Sequence, residues 1–415
     1  MLNWIKEKFV KKKTGQGPKR TRRALAVICY CHFEYFSQVL ESILQQKILG
    51  KHFSEYYDLY IFQDGLQDRH IVANRADHSK VTQLARASVD ANHFFLQESN
   101  LGIAKHFDFI ENYLYESQGY PFVIFCEHDM VLGEHYLEEL TKCADLHEGD
   151  SRIGMLSMHS RNRRKSLEEQ HAHSHEYDRM GHSWGFGMFR ESWLAIRSIV
   201  KEYLVLLGDM PYHQRNDILI IDWLTRKGFK PLASSQDHIK ACALTAMNRV
   251  RMSTFVNLGR YIGAHGEHFT PEQFKQMGFG CDVLYDRSLS TMKKLRQSDY
   301  QRILDESIDN LLIPGRVPMI EKVPVAFPIN MTTNKMTEED VVAAYKFFLG
   351  RFPENMEMMR ERVGLPCDAV FKSFMASEEF LQRREYWPSV VTTAKKIVEL
   401  HAKEEQDKAP KSADH

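Results

Sequence analysis

The sequence predicts an α/β fold, a mostly parallel sheet flanked by helices, with a small all-α module appended at its C-terminal end. Runs of β-branched and aromatic residues alternate with stretches of helical period from Ala24 to Leu146. Short connections between such segments favour parallel strands with helices on both faces. The apolar run Tyr120-Pro-Phe-Val-Ile-Phe-Cys126 stops abruptly at Glu127-His128-Asp129. A buried strand behaves in this way where it delivers charge to the crevice at the carboxyl edge of a sheet. Pro314, Pro318, Pro324 and Pro328 punctuate a linker, and the small helical module follows it from about residue 337.

Ala24 to Tyr30 reads as the first strand and Phe36 to Gln46 as the helix after it, with Val39, Leu40, Ile43 and Leu44 on one face. Tyr57 to Phe62 is a second strand, closed by the turn signal Gln63-Asp64-Gly65. Residues 74–90 have helical character, and His93 to Leu96 is a short third strand. Asn100-Leu101-Gly102-Ile103 opens a helix to Tyr115 with Phe107, Ile110 and Leu114 as its apolar stripe. The central strand follows, and Glu134 to Leu146 supplies one more helix. The resulting domain boundaries are 1–23 for a basic tail and linker, 24–280 for the main domain, 281–336 for a helix (Leu289 to Leu311) and proline-punctuated linker, 337–400 for the helical module, and 401–415 for a charged, disordered tail.

Composition narrows the function. Lysine plus arginine and aspartate plus glutamate number 55 each, so no global field recruits nucleic acid. The seven cysteines are an odd set, several within apolar runs, which fits reduced thiols in a cytoplasm better than a disulfide framework. Cys29-Tyr30-Cys31 is spaced too closely for a zinc knuckle, and no second pair answers it. No run has the length of a membrane span, and the N-terminus lacks the apolar region of a signal peptide. Residues 1–23 interleave Lys6, Lys8, Lys11, Lys12, Lys13, Lys19, Arg20, Arg22 and Arg23 with Leu2, Trp4, Ile5, Phe9 and Val10. Two readings stand side by side for this segment: a basic amphipathic helix resting on the inner face of an anionic plasma membrane, or a solubilising tail.

Glu127 and Asp129 alternate, so their side chains emerge on the same side if the strand geometry persists. Oxygen ligands of this kind suit Mg²⁺ or Mn²⁺, which in turn carries phosphate oxygens. Two solvated acids in a surface turn are the plain alternative. Asn216-Asp217, followed by Ile218, Leu219, Ile221, Leu224 and Gly228, admits either a helix N-cap pair or a carboxylate base. His171-Ala-His173-Ser-His175 follows the polar stretch Arg161 to Gln170 and reads as a lid or acceptor loop rather than a structural metal site.

From about 24 to 235 the chain resembles the inverting nucleotide-sugar glycosyltransferases of the GT-A fold, a Rossmann-like architecture. The family 2-like enzymes are the nearer resemblance and N-acetylglucosaminyltransferase I the more distant one. Gln63-Asp64-Gly65, Asn100-Leu101-Gly102 with Lys105-His106, Glu127-His128-Asp129, Gly181-His-Ser-Trp-Gly-Phe-Gly-Met-Phe-Arg190 and Asn216-Asp217 carry it, in that order. The resemblance implies that Asp64 receives a uracil ring and that Asn100, Gly102, Lys105 and Glu127 bind the nucleotide sugar. Asp129 would hold the metal most directly, with Glu127 on the ribose or a metal-bound water. Trp184, Gly185 and Phe186 would form the acceptor segment, Asp217 the general base and Asp222 its fallback. His268, and after it His265, would be the late metal or diphosphate ligand; a capping turn with exposed histidines is the alternative for Gly263 to Phe269. The chain departs from the family pattern in having Glu at the first acidic position and Asn216 where a Glu-Asp pair is usual. Glu339 to Pro353 and Phe371 to Phe380 resemble a short bacterial module appended to glycan-modifying enzymes, with a Tyr-x-x-x-Leu-Gly-Arg-x-Pro segment and a later Ser-x-Glu-Phe.

The combined expectation is a metal-dependent inverting glycosyltransferase, hexosyl- or N-acetylhexosaminyl-, taking a UDP-sugar donor. Its acceptor is expected to be a hydroxyl of a glycan or lipid-linked glycan at the cytoplasmic face of a bacterial membrane. A divalent cation neutralises the leaving diphosphate while a carboxylate removes the acceptor proton in one displacement. Two alternatives remain from other classes. A nucleotidyltransferase shares a strand-end acidic site, but Cys31-His-Phe-Glu34 is not a glycine-rich, basic phosphate turn. A catalytically silent glycan-binding or scaffold protein would show departures such as those at Glu127 and Asn216.

Overall fold

The structure is a computed structural model that describes residues 22–66, 71–161, 166–265, 270–289, 292–316, 318, 335–349, 353, 356–377 and 379. It divides into two compact units, Met1–Glu321 and Lys322–His415. The basic segment before Arg22, His268, most of the proline-rich stretch and the tail from 401 lie outside the described residues.

The first unit begins with β1 (Arg23–Cys29), α1 (Phe33–Leu44), the hairpin β2 (Lys47–Ile48) and β3 (Lys51–His52), then β4 (Tyr57–Gln63), α2 (Ile71–Ser88) and β5 (Phe94–Leu96). It continues through α3 (Gly102–Glu111), β6 (Phe122–Glu127), β7 (Met130–Leu132), α4 (Tyr136–Leu146), β8 (Ile153–Ser157), α5 (Leu167–Ala172), β9 (Tyr177–Arg179) and β10 (Gly185–Phe189). The remaining elements are α6 (Arg190–Leu207), α7 (Asp217–Arg226), α8 (Gln236–Ala246), β11 (Val250–Thr254), β12 (Gly259–Tyr261), α9 (Pro271–Gln276) and α10 (Gln297–Leu311).

Eight strands form one mixed sheet in the order β5-β4-β1-β6-β10-β8-β11-β9. The half predicted from the sequence, β5, β4, β1 and β6, is parallel throughout. Beyond it β10 enters antiparallel between β6 and β8, β11 returns parallel to β8, and β9 closes the edge antiparallel. All seven residues of β1 and of β4 are buried, as continuous apolar strands covered on both faces must be. Alternation sorts β1 between two cores: Leu25, Val27 and Cys29 pack on the α1 and α4 side, Ala24, Ala26 and Ile28 on the α3, α6 and α8 side.

A separate ribbon pairs β7 with β12, setting Tyr261 opposite Met130. It returns the chain after β12 to the carboxyl end of β6, over a hundred residues away in sequence. α10 starts later than the sequence pattern suggests and buries Tyr300, Ile303 and Leu304 in the same core as β1 and β6. The segment placed after position 280 in the sequence reading is thus part of the first unit, whose compact limit falls at Glu321.

The second unit is all-α among its described residues: α11 (Glu338–Ala344) running into a π turn at Tyr345–Leu349, α12 (Met356–Arg360) and α13 (Cys367–Ala376). Thr337 and Asp340 close a capping box at its start, and Met336, Val341, Tyr345, Phe348, Val370 and Phe374 form its own core. No helix of the described residues is long and apolar enough to cross a membrane.

One polar contact lies inside the first unit's second core. Lys240 of α8 donates to Glu111 of α3 at 2.5 Å with both side chains almost fully buried, and its ammonium lies 4.4 Å from the Phe107 ring centroid. Breaking a buried pair from one side strands a charge at about 3–5 kcal/mol, whereas replacing both partners with apolar groups is often neutral. Lys240→Met is therefore expected to lower unfolding stability by about 3–5 kcal/mol in urea, and Lys240→Met with Glu111→Leu to recover most of it.

Candidate active site

The carboxyl ends of β1, β4 and β6 open on a cavity of about 240 Å³, the position where open α/β sheets place ligands. β6 ends at Glu127, and His128 with Asp129 make the turn into β7. The turn is pinned from both sides. Glu127 N–H donates to the Trp184 carbonyl at 2.8 Å, and His128 N–H to the Ile28 carbonyl at 3.0 Å. Glu127, His128 and Asp129 all line the cavity. Burial raises the Glu127 pKa well above the usual carboxylate range; the charges of Asp129 and Asp237 add to the rise, and Lys240 opposes it.

The ribbon brings the second half of the site. Tyr261 hydrogen-bonds the Asp129 carboxylate through its hydroxyl. A side chain at Gly263 would place its Cβ 2.4 Å from the Tyr261 oxygen and 2.6 Å from Asp129 Oδ2, so only glycine lets the loop lie this close. Two residues on, His265 lines the cavity, and its N–H donates to the Tyr35 hydroxyl at 3.1 Å. The His32 ring stacks between Tyr35 and His128 at centroid distances of 5.5 and 6.0 Å. Burial holds the His128 imidazole down to about 4, so it is neutral near pH 7.

Among the described residues no three His, Cys, Asp or Glu side chains converge to hold a metal unaided. Mg²⁺ and Mn²⁺ do not require such a cage, since one or two carboxylates plus substrate phosphate oxygens commonly suffice. Asp129 and Glu127, with His265 beside them, are a donor set of that kind. Among the described residues no lysine or arginine lines the cavity. Lys105, expected at the nucleotide sugar, does not line it and reaches Asp209 at 3.5 Å instead.

Asp64 borders the cavity but has a different task from the one the resemblance implied. Its Oδ1 accepts from Gly65 N–H (2.9 Å) and Leu101 N–H (2.8 Å), and its Oδ2 from Gly102 N–H (3.0 Å) and the Asn100 amide (3.1 Å). Four donors fill the four acceptor positions of a carboxylate. None is left for a uracil N–H, so Asp64 and Asn100 lock the start of α3 to the end of β4. Burial raises Asp64 to about 6 against the pull of the three backbone N–H groups. Gly102 has φ +71°, and a Cβ there would lie 2.5 Å from the Tyr212 Cβ. Its role is the close approach of Tyr212, another wall of the cavity.

Of the expected acceptor segment only Trp184 reaches the cavity. Its ring stacks on Tyr261 (3.8 Å, 12°) and on His182 (4.0 Å, 1°), with Phe279 edge-on at 5.2 Å. Gly185 and Phe186 belong to β10 instead. Phe186 is buried against Phe107 and Phe125, and the Gly185 carbonyl accepts from Tyr136 and Ser157 inside the sheet.

The two expected bases do not line the cavity. Asn216 is the N-cap of α7, its Oδ1 accepting Leu219 N–H at 3.1 Å. Asp217 is the first helical residue, its side chain 58% exposed, held by Ser234 Oγ at 2.5 Å and Arg215 Nε at 3.1 Å. Asp222 pairs with Arg226 on the exposed face of the same helix. The capping alternative describes this pair. A carboxylate missed in the sequence is Asp237, exposed in the first turn of α8; it does not line the cavity either, but its charge acts on Glu127 and Tyr212. Ser234-Ser235 ahead of it is an N-cap signal that could have marked it. The alternating histidines disperse, His171 pairing with Asp286 and His173 with Glu176.

No known protein family and no curated protein matches the chain. Among solved structures it is similar to the mannosyltransferase PcManGT from Pyrobaculum calidifontis in complex with GDP-Man and Mn2+. That match has 12% identity and a TM-score of 0.32, over 61% of this chain and 60% of that one. It is also similar to the apo-form glycosyltransferase GlyE in Streptococcus pneumoniae TIGR4, at 12% identity and a TM-score of 0.28, over 70% of this chain and 64% of that one. The chain thus spans less than two thirds of either structure. Superpositions this loose carry nothing about activity, and the functional reading rests on the cavity.

The role of Asp64 is directly testable. Asp64→Asn turns two acceptor positions into donors that face N–H groups, so unliganded protein is expected to lose about 2–4 kcal/mol in chemical denaturation. A carboxylate serving only a nucleobase would leave unliganded stability unchanged.

Proposed function

We propose that the chain is a metal-dependent glycosyltransferase that moves a sugar from a nucleotide donor to a hydroxyl of a glycan or lipid-linked glycan. The observation that carries this reading is the acid turn Glu127-His128-Asp129, opening beside the stacked Trp184 and Tyr261 rings onto a cavity without lysine or arginine among its described lining residues. A nucleoside diphosphate brings negative charge into a site already lined by Asp64, Glu127 and Asp129. Asp129 and Glu127, with His265 within the same wall, would hold a divalent cation that reconciles the two. The chemistry supplied by Mn²⁺ or Mg²⁺ when bound is neutralisation of the charge developing on the leaving diphosphate.

The protein's own groups do the rest. Tyr261 orients the Asp129 carboxylate through its hydroxyl, and Trp184, its ring stacked against both His182 and Tyr261, adds an aromatic edge to the cavity wall. Asp237, whose charge reaches Glu127 from the first turn of α8, is the carboxylate we assign to take the proton of the attacking acceptor hydroxyl in a single, inverting displacement. With the acceptor positions of Asp64 engaged, the choice among UDP, GDP and CMP falls to other groups of the cavity. Peripheral attachment through residues 1–23 at the inner face of a membrane belongs to the same proposal; of that segment only Arg22 and Arg23 are among the described residues.

Thermal unfolding with UDP, GDP and CMP, with and without Mn²⁺, tests the donor site. One nucleotide at a hundred times its dissociation constant is expected to add about 2.7 kcal/mol with metal present and little without it. Asp129→Ala should abolish that increment, and a metal-independent shift would count against the cation site. For the base, Asp237→Asn is expected to lower turnover by about 10²–10⁴-fold while nucleotide binding persists, with Asp217→Asn within a few-fold of wild type. Retention at the anomeric carbon, read by NMR of the product, would overturn the single displacement.

A further inference from the structure

The wall of the cavity built by the start of α3 has one polar atom left over. Asp64 takes the N–H groups of Leu101 and Gly102, and the Asn100 amide divides itself between Asp64 and the Gly65 carbonyl. His106, one helical turn beyond Gly102, lines the same cavity with only 1% of its surface exposed. Among the described residues its Nε2 has no hydrogen-bond partner. Burial holds the imidazole down to about 3, so the ring is uncharged at neutral pH. A buried polar nitrogen of this kind carries a desolvation cost that no group among the described residues offsets. The neighbouring cavity walls, Ile103 and the Tyr212 ring admitted by Gly102, are largely apolar.

We propose that His106 is a specificity-determining residue of this cavity: its imidazole hydrogen-bonds an uncharged hydroxyl or carbonyl edge of the ligand seated against α3. The inference deepens the nucleotide-sugar reading and rests on it. A neutral ring adds nothing to the binding of phosphate charge. It reads hydrogen-bond geometry, and a site shaped around such a bond discriminates against ligands that lack the group. The edge belongs either to the transferred sugar or to the nucleobase, and the two sources separate in the experiment.

His106→Phe and His106→Gln are titrated, with Mn²⁺ present, with UDP, GDP and CMP and with the corresponding nucleotide sugars. Removal of the lone polar nitrogen is expected to leave the melting temperature of unliganded His106→Phe unchanged or raised, and to weaken binding about tenfold. Weakening of the nucleotide sugars alone assigns the edge to the sugar; equal weakening of nucleotide and nucleotide sugar assigns it to the base. His106→Gln, which keeps a donor and an acceptor, should restore part of the loss and carries the test if the phenylalanine variant does not fold. Wild-type affinity for every ligand in both variants would overturn the proposal and leave Nε2 to a buried water. If the wild type binds no nucleotide with Mn²⁺, the nucleotide-sugar reading falls, and His106 is judged by its ring NMR signals against free nucleosides and monosaccharides. A ligand-induced shift of those signals keeps the assignment, and none with any of them ends it.

Discussion

Two backbone hydrogen bonds hold the chain where its charge is concentrated: Glu127 N–H to the Trp184 carbonyl and His128 N–H to the Ile28 carbonyl. The first ties the end of β6 to the approach of β10, the second ties it to β1. Between them the acid turn is fixed to two neighbouring strands just where β6 leaves the sheet. A flexible turn would let two like charges separate into solvent. Held here, they remain beside each other in a partly buried cavity, where repulsion and desolvation act together on Glu127. The same bond that positions Glu127 also fixes the backbone of Trp184, so the acid turn and the aromatic face share one support.

The electrostatics of the cavity follow from what lines it. Among the described lining residues Glu127 and Asp129 meet histidines and tyrosines rather than lysines and arginines, and desolvation drives the imidazoles of His32, His106 and His128 toward the neutral form. Such a cavity is poorly arranged for its own stability. Two neighbouring acids in a cavity with no lysine or arginine among its described lining residues, and a buried histidine nitrogen unmatched among the described residues, are costs that a stability-optimised fold would remove. They are coherent as a place prepared for a positive ion and a polar ligand, each offsetting what the empty protein leaves uncompensated.

Much of this was legible in the sequence where the signal is local. β1, β4 and β6 are continuous apolar runs and could be placed directly, and the break at Glu127 marked the sheet's carboxyl edge. Asp64 was legible as a functional-looking acid after β4, but its partners lie at Leu101 and Gly102, and periodicity carries no information about such a contact. Asn216-Asp217 shows the opposite error: local chemistry allowed a cap, and weighting by resemblance set it aside. Gly185-Phe186-Gly187 looked like a sugar-facing loop because alternating glycines suit close approach; in the structure they suit an inner antiparallel strand crowded by Tyr136 and Phe122. Asp237 escaped notice, and His106 stood out only as the neighbour of Lys105 after Asn100-Leu101-Gly102, because what distinguishes both is proximity to residues far along the chain.

α8 connects these observations through a single spacing. Asp237 and Lys240 are three residues apart on this helix, which places them on neighbouring positions of one face. Lys240 is anchored to Glu111 on α3 in a buried pair, and its charge also opposes the rise of Glu127. A buried pair contributes little net stability against its desolvation cost, but it does fix register. Here the register in question is that of α8 against α3, the helix whose first turns form the His106 wall. The pair therefore sets how the carboxylate of Asp237 and the imidazole of His106 stand relative to the end of β6. Stability and site geometry depend on the same two side chains, and a change that loosens Lys240 acts on both.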